Sequence, residues 1–204
     1  MKPKLTDANK LERVAWCLDK RKANGLYSEM LDEIHVDEKW FFLDELTMTY
    51  YLADGEQPKH RSVQHKSHIQ KVMFLCAVAR PKHDTHSNVQ FSGKIGIWPF
   101  VKVVAAQRSS RHRARGTMEI KPVNVTKEVY LDMMLQKVLP AIKANCPLGM
   151  KSRRIILQQD NAPPHRSFTN ANPAVVTKLE ELGLNLEIRN QPANSPDLNV
   201  LDLG

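Results

Sequence analysis

Apolar residues recur along this chain with two different periods, and the switches between them outline its elements. Leu11, Val14, Ala15 and Leu18 fall on one face at helical spacing, which predicts an amphipathic helix over 7–20 and then a short linker containing Gly25. Three strand-like stretches follow: Glu33–Leu43, Thr49–Leu52 closed by an Asp54-Gly55 turn, and Lys71–Ala79. The unbroken apolar run of the third, Val72 to Ala79, suggests a strand covered on both faces. Residues 80–125 lose this regularity. Pro, Gly, Ser and Arg surround one apolar island, Ile95–Val104, and the stretch is expected to be an inserted subregion with short strands of its own.

Helical periodicity returns after Thr126, a suitable N-cap, with Leu131, Met134, Leu135, Val138 and Ile142 on one face and Pro140 expected to end or kink the helix. Arg154–Gln159 reads as a short strand centred on Ile155-Ile156-Leu157 and ending at Asp160. Asn172 as N-cap, Pro173 in the first turn and Gly183 just past Leu182 bracket a further helix, whose Val175, Val176, Leu179 and Leu182 face inward. Leu184–Arg189 alternates as a last strand, and the tail reads as the opening of another helix, cut short at Gly204. Strands, an insertion, then helix, strand, helix and strand amount to an α/β fold: a helical lead-in over 1–30 and one domain over 31–204.

Composition narrows the function classes. The 204 residues suffice for one domain with an adjunct. A net charge of +8 suits a polyanionic partner, although a merely soluble basic surface carries the same signature. The longest apolar run falls far short of the ~20 residues of a membrane helix, and residues 1–20 lack the apolar core of a secretion signal. No membrane partner and an intracellular protein are therefore expected. Cys17, Cys76 and Cys146 are widely separated and without CxxC spacing, which fits reduced structural thiols rather than a disulfide framework or a zinc finger. Asn124-Val125-Thr126 matches a glycosylation sequon that has no use without a secretory route.

Three acids stand out by context: Asp37 in His35-Val36-Asp37-Glu38-Lys39-Trp40, Asp160 after Gln158-Gln159, and Asp202 in Asn199-Val200-Leu201-Asp202. Aspartate suits strand interiors poorly, because its charge is costly to bury unless it is paired or coordinates a metal. Two strand carboxylates invite a cation between them. Oxygen donors without Cys or clustered His select Mg²⁺ or Mn²⁺ over Zn²⁺, and a pair of such ions is the usual device for phosphodiester chemistry. Taken singly, each acid has another use: Asp37 as a solvated strand charge, Asp160 as an Asx turn before Pro163, Asp202 as a helix cap or first-turn acid.

Considered together, the three blocks carry a resemblance. Val36-Asp37-Glu38-Lys39-Trp40-Phe41-Phe42, Leu157-Gln158-Gln159-Asp160-Asn161-Ala162-Pro163-Pro164-His165 and Gln191-Pro192-Ala193-Asn194-Ser195-Pro196-Asp197-Leu198-Asn199 resemble, in order, the catalytic blocks of mariner-like transposases. Lys71-Val72-Met73-Phe74-Leu75, Gly93–Phe100 and Arg115-Gly116-Thr117 resemble the longer catalytic region of one branch of that family. The resemblance implies an RNase H-like mixed sheet flanked by helices and C-terminally truncated. It also implies a cut-and-paste DNA transposase of the DDE/D superfamily, with an acidic triad that binds two Mg²⁺ or Mn²⁺ ions. By motif position the triad is Asp37, Asp160 and Asp202, with Asp197 as the alternative third acid; Asn161 and His165 match as supporting residues. Double-stranded DNA, both transposon ends and target, a homodimer and a nuclear location go with it.

Two basic segments suit the DNA. Lys59, Arg61 and Lys66, at the place of the family's clamp loop (about 54–70), form a cationic stretch able to neutralise phosphates. His60, His65 and His68 lie in the same stretch, but no fourth zinc ligand accompanies them. Arg108, Arg111, Arg113 and Arg115 form the second cluster, which equally suits a nuclear address or a solvated loop. The family's N-terminal helix-turn-helix domains have no counterpart here, and the sequence ends two residues after Asp202. A rival expectation is therefore a catalytically inactive DNA-binding or dimerisation protein derived from a transposase.

Overall fold

The computed structural model describes residues 4–42, 51–58, 69–84, 89–111 and 113–203. In chain order the strands are β1 Glu33–Phe42, β2 Lys71–Ala79, β3 Lys82–Asp84, β4 Val89–Phe91, β5 Lys94–Pro99, β6 Val101–Ala105, β7 Met118–Pro122, β8 Ile155–Gln159 and β9 Leu186–Asn190. The helices are α1 Asp7–Asp19, α2 Lys127–Met133, α3 Leu139–Asn145, α4 Leu148–Lys151 and α5 Pro173–Leu182. The chain forms two units, one of Met1–Asp37, Leu75–Trp98 and Asn124–Gly204, the other of Glu38–Phe74 and Pro99–Val123.

The first unit is organised by a mixed sheet in the order β5-β2-β1-β8-β9. Alternate side chains of its central strands, Ile34 and Val36, Leu75 and Ala77, Ile155 and Leu157, are almost wholly withdrawn from water. That alternation is the period-2 signature of a sheet with one face in the core. Burial of each large aliphatic side chain contributes about 1.5–3 kcal/mol. Lys71–Ala79 is thus covered less evenly than its apolar run suggests: Leu75, Ala77 and Ala79 are buried, whereas Cys76 and Val78 between them are half-buried. The region 80–125 is also less separate than an insertion, because Lys94–Pro99 is a strand of this sheet. Gly93 makes that possible: at φ +82° it turns the chain where a Cβ would lie 2.2 Å from the Ala79 carbonyl oxygen.

On the core side, Thr126 caps α2 by accepting the Val129 amide at 3.3 Å. Pro140 does not end the helix. A π-helical turn over Met134–Val138 precedes it, and Pro140 enters in the first turn of α3, where its missing amide is harmless. The buried face is Tyr130, Met134, Val138, Leu139 and Ile142; Leu131 and Leu135 sit at its margin. Asn172 and Gly183 bracket α5, Gly183 at φ +60°. Burial pushes the Cys146 thiol up to about 11, in keeping with an inert structural cysteine.

Helix α1 forms where its periodicity predicts, capped by a reciprocal Thr6–Asn9 pair, but it docks by another face. Leu11, Val14 and Leu18 are exposed, while Arg13, Trp16, Cys17 and Lys20 turn toward the unit. Ion pairs explain the choice: Arg13 forks onto Asp197 at 2.7 and 2.6 Å, Lys20 reaches Glu33 at 2.6 Å, and Arg189 reaches Asp19 at 2.8 Å.

In the second unit, β6 and β7 form a two-stranded antiparallel ribbon. Phe41 meets Phe74 edge to face at 5.2 Å, Lys71 Nζ lies 4.3 Å over the Trp40 ring, and the buried Phe100 donates its amide to Met73 O at 2.8 Å. Of the strand expected over Thr49–Leu52, Thr49 and Tyr50 lie outside the described residues and Tyr51 and Leu52 are irregular; the Asp54-Gly55 turn is present. Among the described residues no helix is long and apolar enough to cross a membrane.

Candidate active site

Strands β1 and β8 run parallel, with Glu33 opposite Ile156, Ile34 opposite Leu157 and His35 opposite Gln158. Asp37 lies two residues past His35 on β1, and Asp160 lies two residues past Gln158, just beyond the end of β8. On β1, Asp37 falls on the face away from the core, because side chains alternate and Ile34 and Val36 are buried on the other. Strand β8 stops at Gln159 while β1 continues to Phe42, so Asp160 opens onto a loop at the carboxyl end of its strand. That is where open α/β sheets place their ligands. Asp37 is near enough to Cys76 of the next strand that burial first, and then the Asp37 charge, hold that thiol up.

Asp160 is held in one orientation. Its Oδ1 accepts the Ala162 amide at 2.9 Å, closing an Asx turn, and lies 2.5 Å from His165 Nδ1. Burial alone would raise its pKa; the bonds from His165 and Ala162 outweigh that and hold the carboxyl below its ordinary range. Among the described residues no hydrogen bond falls on Oδ2. His165 is itself fixed: it is 3% exposed and stacks on Tyr130 at 4.0 Å between ring centroids.

This bond has a measurable consequence. Replacing His165 with Phe keeps the stack on Tyr130 and removes the partner of Asp160. The Asp160 pKa, followed by carboxyl-carbon NMR titration, is expected to rise, since burial then meets less opposition. The native arrangement lowers the folded-state pKa, so its contribution to stability is present above the ordinary carboxylate range and is lost as pH falls through the folded value. An unmoved Asp160 titration in His165→Phe would show that the pair does not set its charge.

Two neighbouring glutamines brace the strand end. Gln159, buried on the core face, accepts the Tyr130 hydroxyl at 2.9 Å and donates to His165 O, Phe168 O and Asn190 Oδ1 at 3.3, 3.1 and 3.0 Å. Gln158, on the acidic face, donates to Gln191 Oε1 at 3.2 Å and Leu198 O at 2.7 Å, tying the C-terminal segment to β8. Asn161 donates to Gln191 O at 2.5 Å. The sequence marked Asn161 and His165, but the work of Gln158, Gln159, Gln191 and Tyr130 was missed. The signal was there: two adjacent amides closing an apolar strand must both find partners if buried.

The third acid is placed differently from the first two. Asp202 ends a 3-10 turn over Val200–Asp202, capped by Asn199 through Leu201 N at 3.1 Å, and its side chain is exposed. Among the described residues no group of three His, Cys, Asp or Glu stands close enough to hold a metal ion. Of the expected triad, Asp37 is thus on β1, Asp160 in the loop that follows β8, and Asp202 on a tail tied to β8 through Leu198 O. Asp197 is committed to Arg13, whose own pKa that bond raises. Below the acids, His35, Val78 and Gln158 join Trp16, Lys20 and Leu198 in lining a cavity of about 590 Å³. Burial lowers the His35 pKa and so favours its neutral form.

Of the expected DNA-binding residues, Lys59, Arg61 and Lys66 lie outside the described residues. Arg108, Arg111 and Arg115 are exposed on the turn between β6 and β7 in the second unit. Arg113 differs from them: it is half-buried and closes on Glu119.

No protein-family model matches this sequence, and no curated protein matches it. Solved structures do resemble it. A pre-cleavage Mos1 transpososome aligns with a TM-score of 0.60 and 20% identity over 99% of this chain and 48% of its own. The Mos1 transposase paired-end complex with left transposon end gives 0.57 and 21% over 100% of this chain and 48% of its own. The Mos1 transposase catalytic domain with Raltegravir and Mg gives 0.53 and 20% over 98% and 70%. This chain thus spans less than half the length of the chains in the two DNA complexes. At such identity the likeness establishes the fold, an RNase H-like mixed sheet flanked by helices.

Proposed function

We propose that this chain is the catalytic region of a mariner-like DNA transposase, acting on phosphodiester bonds of duplex DNA by divalent-metal chemistry. The observation that supports the reading is the parallel pairing of β1 and β8 in an RNase H-like sheet, since β1 carries Asp37 and β8 leads directly into Asp160, an acid remote from it in sequence. The likeness to transposase structures in complex with transposon ends and with Mg supports it.

The donor set fits the cation. Asp37 and Asp160 offer hard carboxylate oxygens, Asp160 is kept ionised, and its Oδ2 is directed by the two bonds that fix Oδ1. Asp37, Asp160 and Asp202 would hold the metal, Asp202 from the tail. A bound pair of Mg²⁺ or Mn²⁺ supplies an activated water or 3′-hydroxyl and neutralises charge at the leaving oxygen. His165 keeps Asp160 oriented, and the ion pair of Arg13 with Asp197 positions the segment that leads to Asp202. Basic side chains, Lys59, Arg61 and Lys66 in one segment and Arg108, Arg111 and Arg115 in the other, would neutralise DNA phosphates. Two copies acting together in the nucleus belong to the same reading.

The test is nicking of supercoiled plasmid by the full chain with Mg²⁺ or Mn²⁺ and with a chelator. Metal-dependent nicking is expected, and Asp202→Asn is expected to lower it by about a hundredfold or more. Asp197→Asn, which loosens the pair with Arg13 but removes no proposed metal ligand, is expected to lower it by less than Asp202→Asn does. Duplex binding with no metal-dependent cleavage would instead establish the non-catalytic DNA-binding alternative.

A further inference from the structure

The β6–β7 ribbon of the second unit turns its apolar side to solvent. Cross-strand partners share a face, so Val101 and Pro122, Val103 and Ile120, and Ala105 and Met118 lie on one side, with Lys102 and Lys121, and Val104 and Glu119, on the other. On the first side Val103, Met118 and Ile120 are 59%, 63% and 71% exposed. The second side is the one that is knitted together: Arg113 closes on Glu119, and Lys121 Nζ lies 3.4 Å from the same carboxylate. A two-stranded ribbon alone is at best marginally stable in water, and a contiguous exposed apolar face marks an interaction surface.

The surrounding charge selects the partner. Between Pro99 and Val123, Lys102, Arg108, Arg111, Arg113, Arg115 and Lys121 are opposed by Glu119 alone. The turn bearing the arginines is a built one. Ala106 and Thr117 are joined at 2.9 Å, Gly116 N donates to Ala106 O at 2.9 Å, Ser110 and Arg113 exchange backbone bonds at 2.8 and 3.3 Å, and Arg115 N donates to Ser109 Oγ at 3.1 Å. A second copy of the chain would bring a like cationic rim against this one, which costs rather than contributes. A polyanion complements it. The apolar side chains carry no donor or acceptor and cannot read base edges in a major groove, but such side chains wedge against base steps in a minor groove, where the negative potential also draws arginine.

We propose that the β6–β7 ribbon is a minor-groove docking element for duplex DNA, seating Val103, Met118 and Ile120 in the groove with Arg108, Arg111 and Arg115 on the flanking phosphates. It rests on the reading above only for the kind of nucleic acid.

The experiment uses the full chain in chelator, so that binding is read without cleavage. Fluorescence anisotropy is measured with short labelled A·T-rich and G·C-rich duplexes, with and without netropsin as a minor-groove competitor. The A·T-rich duplex is expected to bind more tightly and to be displaced by netropsin. The triple variant Val103→Ser, Met118→Ser, Ile120→Ser, at exposed positions, is expected to lose about tenfold in affinity with its salt dependence unchanged. Arg108→Ala, Arg111→Ala, Arg115→Ala should flatten the slope of log affinity against log salt by about 3, at roughly 0.9 per phosphate contact. Wild-type affinity in a natively folded serine variant, indifference to netropsin, or absence of duplex binding overturns the proposal. So does a serine variant whose only change, by sedimentation, is the loss of a dimer. Failure here leaves metal-dependent nicking and its dependence on Asp37 and Asp160 untouched, and failure of nicking leaves this result standing.

Discussion

Asp37→Asn and Asp160→Asn are each expected to lower metal-dependent nicking by on the order of a thousandfold, which corresponds to about 4 kcal/mol of transition-state stabilisation. Asparagine keeps the shape of the side chain and one oxygen, so the fold should survive; what is lost is the charge that a shared cation needs. The two positions act on the same ions, and their effects should not add. The double variant should be about as inactive as either single one, since groups that work as a unit are non-additive. The paired readout is Mn²⁺ titration by calorimetry: heat of binding present in the wild type and absent in either variant. If both variants nick at the wild-type rate, with intact far-UV circular dichroism, the parallel alignment of β1 and β8 has no catalytic meaning here.

How far this site could be read from the amino acids alone differs from one residue to the next. Asp37 and Asp160 were legible because an acid in or at the end of an apolar strand conflicts with its surroundings, and such a conflict marks function or a partner. That their elements are neighbours was not legible from pattern, since strand order is a property of long-range pairing; the β1–β8 neighbourhood, with β2 on the far side of β1, had to be seen. Element ends with local chemistry, Thr126, Asn172 and Gly183, were placed well because capping is decided within a few residues.

The failures were also physical. Periodicity assigned the inward face of α1 to Leu11, Val14 and Leu18, but ion pairs with Asp197 and Glu33, distant in sequence, turned the helix to its other side. Pro140 is expected to end or kink its helix, and the helix does not end there, because the π-helical turn before it leaves no mark in composition. Spacing groups Arg113 with Arg108, Arg111 and Arg115, because nothing in it shows that Arg113 closes on Glu119.

Gln159→Leu is expected to be the most damaging conservative change for folding. Leucine is close to glutamine in volume, so no large cavity opens, and the cost comes from what it strands. Gln159 lies fully buried, and its amide meets the Tyr130 hydroxyl, two main-chain carbonyls and the Asn190 side chain. The Tyr130 hydroxyl and Phe168 O each lose the Gln159 bond, while His165 O keeps the Phe168 amide and Asn190 is exposed; at about 1–3 kcal/mol for each buried group left short of a bond, a total of roughly 3 kcal/mol is expected. Against the 5–15 kcal/mol or so that holds a typical folded domain together, this is a large fraction. At about 2–4 °C per kcal/mol for a chain of this size, Tm should fall by roughly 10 °C. The same residue ties β8 to the loop that carries Asp160 and His165, so local opening of that loop should rise with it: amides near His165 and Phe168 should exchange faster than those of α5. Gln159→Glu keeps an acceptor for Tyr130 but replaces the donating amide with a buried carboxylate beside three acceptors, and should be no milder than leucine. A melting curve within about 2 °C of the wild type for either variant would mean that the amide network is ornamental and that Asp160 is held by His165 and the Asx turn alone.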